Sequence, residues 1–339
     1  MDWTEKINRV YEKLQDAESR FIFDQRMSYL VYRDGVRFWN NIKRNRNWVC
    51  PNEYKDFIIF GAGMLGKLYL DILETVGKNV LAFCDNYKHG EVRGKAIITV
   101  EQAVQYNKPI VIPWGSYTKE AQKQLLEYGI DKKYILQEPD IRSYTGVQYF
   151  DVWSPKENEI LVDCGAYDGD TIMQFIKWTN SQYNHIYAFE PSIRNYEKCK
   201  KNVEDGAVKN CDVINKGAWN CKETFTMITS EFDTGDFITQ AFEAGYDEIE
   251  SVSIDDTLQG NEATFIKMDV EGSELESLKG AKNTIVRYQP RLAIAVYHKN
   301  TDFLDIPNYI LDLNNNYKFK LRHYASNNCE TVLYAESHK

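Results

Sequence analysis

Phe265-Ile266-Lys267-Met268-Asp269-Val270-Glu271-Gly272-Ser273-Glu274 is a short apolar run that delivers three acids and a glycine to one point. An earlier stretch, Val162-Asp163-Cys164-Gly165-Ala166-Tyr167-Asp168-Gly169-Asp170-Thr171, has the same form. Buried strands that end in acids and glycines mark the rim of an open, parallel α/β sheet, where ligand crevices form. The expected fold class is therefore α/β, with a doubly wound sheet around these two strands.

Strand and helix alternate outward from them. A strand at 160–162 is followed by a helix over 171–178, a strand at 185–189, a helix over 193–203 and a strand at 212–215. After the strand at 264–268 the spacing predicts one helix over 273–288, a strand at 292–297, a helix over 306–313, and a hairpin of strands 317–323 and 331–335. Between the third and fourth strands, residues 223–260 read as an insert rich in acids and aromatics (Phe232, Phe237, Phe242, Tyr246), a candidate cover for a substrate. Together, 141–339 form one expected domain.

Upstream, residues 1–50 carry apolar positions at helical spacings: Ile7, Val10, Tyr11 and Leu14, then Phe21, Phe23, Met27, Leu30, Val31, Phe38 and Ile42. They predict an N-terminal helical segment, a candidate homodimer surface. Residues 51–140 again alternate strand and helix, as in a small Rossmann-like nucleotide-binding domain. Its first strand, 56–60, runs into Gly61-Ala62-Gly63-Met64-Leu65-Gly66, and Asp85 ends the next strand, 19 residues past Gly66. That context fits a dinucleotide fingerprint, with a nucleotide-sugar or NAD(P) as the expected ligand. The alternative is that these glycines serve only close strand-to-helix packing.

A length of 339 residues exceeds one ordinary core, in agreement with two domains. A formal charge of −9 argues against a broad nucleic-acid or anionic-lipid surface. No apolar run is long enough to span a bilayer and no secretory leader opens the chain, so a cytoplasmic location is expected. The seven cysteines lack metal-ligand spacing and read as reduced thiols; no metal is assigned.

In the second domain, glycines at 165 and 169 let backbone amides approach a ligand. Glu190 ends the next strand, 21 residues beyond Gly169, where a carboxylate accepts the hydroxyls of an adenosine ribose. The motifs Ile160-Leu161-Val162-Asp163-Cys164-Gly165-Ala166, Ala188-Phe189-Glu190-Pro191 and Ile266-Lys267-Met268-Asp269-Val270-Glu271-Gly272-Ser273-Glu274-Leu275 resemble those of the FkbM family of methyltransferases. The resemblance spans roughly residues 150–336. It implies a seven-stranded class I methyltransferase fold, S-adenosylmethionine as cofactor, and transfer to hydroxyl oxygens of sugars or polyketides.

With that reading, Asp163, Gly165, Tyr167, Asp168, Gly169, Thr171 and Glu190 are the candidate cofactor-binding residues. Asp269, Glu271 and His298 are the candidate catalytic ones, His298 being the best placed of five histidines to act as a base. Glu274 reads as a helix-surface acid, and Lys267 as the partner of an acid beneath the site. Arg322, His323 and Glu330 are candidates to line an acceptor pocket. The expected function is O-methyl transfer to a small-molecule or glycan hydroxyl. A nicotinamide-dependent sugar oxidoreductase or epimerase is the competing enzyme, but no Tyr-x-x-x-Lys pair follows the Gly61 turn. A non-enzymatic nucleotide-sugar-binding scaffold is the third reading.

Overall fold

In the computed structural model, residues 2–35, 37–38, 54–75, 77–113, 117–137, 147–228, 237–239, 247–325 and 328–338 are described. They fall into two compact units, one of Val31–Tyr144 and one that joins Met1–Leu30 to Thr145–Lys339.

The Val31–Tyr144 unit is built on β1 (Asp56–Phe60), β2 (Asn79–Cys84), β3 (Gly90–Val92), β4 (Lys95–Ile98), β5 (Ile110–Ile112) and β6 (Ile135–Gln137). They form a six-stranded sheet in the order β3-β4-β2-β1-β5-β6, parallel throughout except where β3 folds back on β4. Helices Met64–Thr75, Val100–Tyr106 and Thr118–Glu127 connect the strands. The β3–β4 hairpin is absent from the sequence expectation because Glu91, Arg93 and Lys95 give so short a pair little apolar content.

The other unit carries β7 (Glu159–Cys164), β8 (Tyr183–Phe189), β9 (Cys211–Ile214), β10 (Gly217–Ala218), β11 (Thr224–Ile228), β12 (Phe237–Thr239), β13 (Asp247–Val252), β14 (Phe265–Met268), β15 (Arg291–Ala295), β16 (Tyr317–His323) and β17 (Thr331–Ser337). Seven of these form one sheet in the order β16-β17-β15-β14-β7-β8-β9. All its pairings are parallel except those that β17 makes with β15 and β16. This is the class I methyltransferase order, with the sheet reversing beside β7. Strands buried on both faces read as continuous apolar runs, and neighbouring side chains go to opposite cores. Val162, Cys164, Ile266, Met268, Leu292 and Ile294 enter one core; Leu161, Phe265 and Ala293 enter the other.

The insert is a separate four-stranded sheet, β10-β13-β11-β12. Of the four aromatics named in the insert, only Phe237 lies among the described residues. The expected helix over 273–288 is two helices, Glu274–Lys279 and Lys282–Tyr288. At the break a side chain on Gly280 would overlap the backbone of Trp219, and the chain there is close-packed against its neighbour.

Residues 1–30 belong to this unit, which moves the boundary from the expected 1–50 segment. Helix Trp3–Tyr11 pairs Lys6 with Asp305 at 2.9 Å and Arg9 with Asp312 at 2.6 Å. Val10, Leu14, Ile22 and Phe23 are buried in the same core as Phe303 and Phe319. Much of the apolar face expected to form a homodimer thus packs within the chain, while Val31 is exposed and Ile42 lies outside the described residues. Backbone bonds Gln15 N to Phe319 O and Phe319 N to Lys13 O, both 3.0 Å, close the free edge of β16, which would otherwise offer unpaired backbone groups to another chain. Arg26, almost fully buried, donates to Asn328 O at 2.5 Å and Val296 O at 3.2 Å, tying the helix to the loops past β15 and β16. Residues 39–53 lie outside the described residues.

Candidate active site

Register places the site. Cys164 pairs with both Met268 and Phe189, and Met268 with Ile294, so β7, β8, β14 and β15 end level. Gly165, Glu190 and Asp269 therefore emerge at one rim. The three loops are bonded to one another there. Gly165 N and Ala166 N donate to Phe189 O at 3.0 Å, and Asp269 N donates to Cys164 O at 3.0 Å. Gly165 has φ +80°, and a Cβ on it would lie 3.0 Å from the carbonyl carbon of Asp269 and nearer still to its oxygen. Only glycine satisfies both the dihedral and the approach.

Glu190 is 6% exposed. Its Oε2 accepts Tyr167 N at 2.8 Å and its Oε1 accepts Ser192 N at 3.0 Å, so the carboxylate links the glycine loop to its own strand end. Tyr167 has φ +51° and is partly exposed at the loop tip. Gly169, φ +87°, starts helix Asp170–Trp178 and packs on Cys199. Thr171 is buried on that helix, and Asp168 is half-buried, its carboxyl raised by burial and by Asp170.

Beneath the loop, Lys267 and Asp163 are register partners on β14 and β7 and make a fully buried ion pair at 3.0 Å. Lys267 Nζ also donates to Gly165 O at 2.7 Å. Burial works against the ammonium, but Asp163 and then Asp269 outweigh it and hold Lys267 charged. Asp163 thus braces the loop from within, and the acid beneath the site is the one that pairs with Lys267.

On the far side, Asp269 accepts Tyr149 Oη at 2.7 Å and Tyr297 Oη at 3.3 Å. His298 Nε2 lies 3.5 Å from Asp269 Oδ1 and 3.3 Å from Glu271 Oε2, and its Nδ1 lies 2.7 Å from Glu274 Oε1. These are ion-pair distances; the ring N–H groups are not aligned as hydrogen bonds. Burial lowers the imidazole pKa, but Glu271, Glu274 and Asp269 outweigh it and push His298 up to about 11. Burial likewise opposes ionisation of Asp269, but His298, Lys267 and the two phenols hold it below the usual carboxylate range. Glu274 is completely buried, not on a helix surface; its Oε1 accepts Val270 N at 3.0 Å and Gly272 N at 3.3 Å.

Of the three hairpin residues expected near an acceptor, only Glu330 approaches. Its Oε2 accepts Gln148 Nε2 at 2.7 Å, and Gln148 Nε2 also donates to Tyr149 Oη at 3.1 Å. Arg322 pairs with Asp16 at 2.8 Å, and buried His323 bonds Thr331 between the strands. Both are structural. Tyr149 and Gln148 have no counterpart in the sequence reading, since they sit in an aperiodic connector. Tyr297, next to His298 at a strand end, was within reach of it. Tyr149, Tyr167, Glu271 and Glu330 all have left-handed φ, at +72°, +51°, +52° and +59°. Such conformations in side-chain-bearing residues persist where surrounding structure enforces them.

In the Val31–Tyr144 unit, Asp85 Oδ2 accepts Ala62 N at 2.7 Å and Oδ1 accepts Tyr87 N and Lys88 N at 2.9 Å. Burial raises its carboxyl, and these backbone donors outweigh that and hold it low. Gly61 has φ +91°, Gly63 lies open beside Lys88, and a Cβ on Gly66 would overlap the backbone of Gly61. Turn geometry, loop support and packing account for Gly61, Gly66 and Asp85.

Residues 163–320 match the family described as Methyltransferase FkbM domain. Among solved structures, the methyltransferase FkbM from Methylobacillus flagellatus KT is similar over 94% of this chain and 99% of its own, at 20% identity and a TM-score of 0.52, a likeness of fold. An rRNA methylase from Streptococcus thermophilus is similar over 55% of this chain and 90% of its own, at 16% identity and a TM-score of 0.37, too weak to carry an argument. A comparison with curated protein sequences gave no match.

Proposed function

Since residues 163–320 belong to the FkbM methyltransferase family, we propose that the chain is an S-adenosylmethionine-dependent O-methyltransferase acting on a sugar hydroxyl of a glycan, nucleotide-sugar or secondary metabolite. The observation that carries this reading is the convergence of Gly165, Glu190 and Asp269 on one rim, close enough that a methyl group on Gly165 would collide with Asp269. The residues present fit the cofactor: Glu190 places a carboxylate at the strand end where ribose hydroxyls need acceptors, and Gly165 puts no side chain between the turn and a ligand. When bound, S-adenosylmethionine supplies an electrophilic methyl on a sulfonium.

The chain's own residues align and deprotonate. Asp269, ionised and held by Tyr149 and Tyr297, accepts a hydrogen bond from an incoming hydroxyl and opposes the positive charge that builds on its oxygen. Glu271, whose side chain is 42% exposed, has access to solvent through which the hydroxyl proton leaves. His298 keeps Asp269, Glu271 and Glu274 together at the ends of β14 and β15. No helix among the described residues is long and apolar enough to cross a membrane.

The test is incubation with methyl-labelled S-adenosylmethionine and a panel of glycosides and nucleotide-sugars. An alkali-stable methyl ether on one of them is the expected product. Absence of S-adenosylhomocysteine formation with every acceptor, together with absence of cofactor binding by the folded protein, refutes the proposal.

A further inference from the structure

We propose that Asp269, Glu274 and His298, with Glu271 at the open side, form a binding site for one divalent cation of the manganese or magnesium type, which takes the place of the proton on the His298 ring. One donor atom from each of Asp269, Glu274 and His298 lies within 4.8 Å of the others. An octahedral ion with bonds of about 2.1 Å sets its ligand atoms about 3.0 to 4.2 Å apart. The His298 Nε2 separations of 3.5 Å to Asp269 and 3.3 Å to Glu271 already fall in that range. Closing the widest pair takes a contraction of about half an ångström, within the reach of side-chain torsions.

A further feature points to a ligand. Glu274 is fully buried, yet its Oε2 has no hydrogen-bond partner, while the ring nitrogens of His298 meet carboxylates only at ion-pair distances of 2.7 to 3.5 Å. Buried polar atoms are rarely left in that state. Charge adds to this: three carboxylates face one imidazole, while Lys267 is engaged by Asp163 and Gly165 O. Asp269 and His298 follow the level ends of the adjacent strands β14 and β15, Glu271 lies in the loop after β14, and Glu274 opens the helix beyond it. A mixed carboxylate and imidazole set suits Mn²⁺, Mg²⁺ or Fe²⁺ better than soft-ligand metals.

Binding of the ion stands apart from the reaction; only its use rests on the methyl-transfer reading. In that use the ion takes the acceptor hydroxyl and a neighbouring oxygen together and makes the hydroxyl more acidic. The acceptor class is then a vicinal diol, or a hydroxyl flanked by a carbonyl or carboxylate.

Titration of the full-length protein with Mn²⁺, reading free ion by electron paramagnetic resonance without any cofactor, tests the site. One Mn²⁺ per chain is expected. Affinity falls at least about tenfold in His298→Asn and in Glu271→Gln, an exposed position that spares the core, and holds in the surface variant Asp312→Asn. Lack of stoichiometric binding at about 1 mM Mn²⁺, or binding that both site variants leave unchanged in folded protein, overturns the assignment. Loss of methyl transfer with Mn²⁺ binding intact would count against the reaction and not against the site.

Discussion

Gly165→Ala is the perturbation that the geometry of this site prices most directly. An alanine at φ +80° carries the left-handed cost, about 1–2 kcal/mol. Its Cβ would also stand 3.0 Å from the Asp269 carbonyl carbon and closer to the oxygen, so one backbone must move, at about 1–3 kcal/mol more. The expected destabilisation is about 2–5 kcal/mol. Gly272→Ala is the matched control: φ is +92°, but the nearest atom, Lys299 Cε, is at an ordinary 3.5 Å, so only the dihedral cost of about 1–2 kcal/mol applies. Urea unfolding gives the stability difference between the variants, and calorimetric titration with S-adenosylhomocysteine gives the effect on the pocket. Gly165→Ala should be the less stable by about 1–3 kcal/mol and should lose affinity. Equal stability, or an unaltered affinity in Gly165→Ala, would show that the two loops do not depend on this contact.

Lys267→Met leaves the fully buried Asp163 without its partner, so its carboxyl, already raised by burial, must take up a proton or remain as an unpaired charge; a loss of about 3–5 kcal/mol in urea unfolding is expected. The double variant with Asp163→Leu should recover much of it, and failure to do so would place the cost elsewhere. Asp302 is pushed up to about 6 by burial, with Glu274 adding to it, although Lys299 N donates to its carboxylate at 2.7 Å. Its folded-state pKa exceeds the unfolded value near 3.9, so the folded protein binds the extra proton and stability falls as pH rises from about 4 to 6, by up to about 3 kcal/mol. Asp302→Asn should flatten that slope; parallel stability curves for the two proteins across this interval would contradict the assignment.

The central sheet was legible because β7, β14 and β15 are largely apolar on both faces and because β7, β8 and β14 run directly into a glycine or an acid. Periodicity and rim chemistry coincide there, and the same acids marked the site. Lys267 was legible as an anomaly in an apolar run, and its partner Asp163 lies at the matching register position. What was not legible depends on contacts distant in sequence. Tyr149 reaches Asp269 across 120 residues from a connector without period. The N-terminal helices look like a free amphipathic surface until Lys13, Gln15 and Phe319 close the edge of β16. The break falls at Gly280, a local helix-stop residue, and the close approach of the Trp219 backbone that bars any side chain there is seen only in the fold. His298 was legible by its place past a strand end, but its contacts with Asp269, Glu271 and Glu274 form only in the fold.

The measurement that bears most directly on the whole account is calorimetric titration of the purified chain with S-adenosylhomocysteine, alongside Glu190→Ala. Saturable binding of one molecule per chain, weakened at least about tenfold when the Glu190 carboxylate is removed, is the predicted result. No binding at about 1 mM ligand by folded protein, or an affinity indifferent to Glu190, would contradict it.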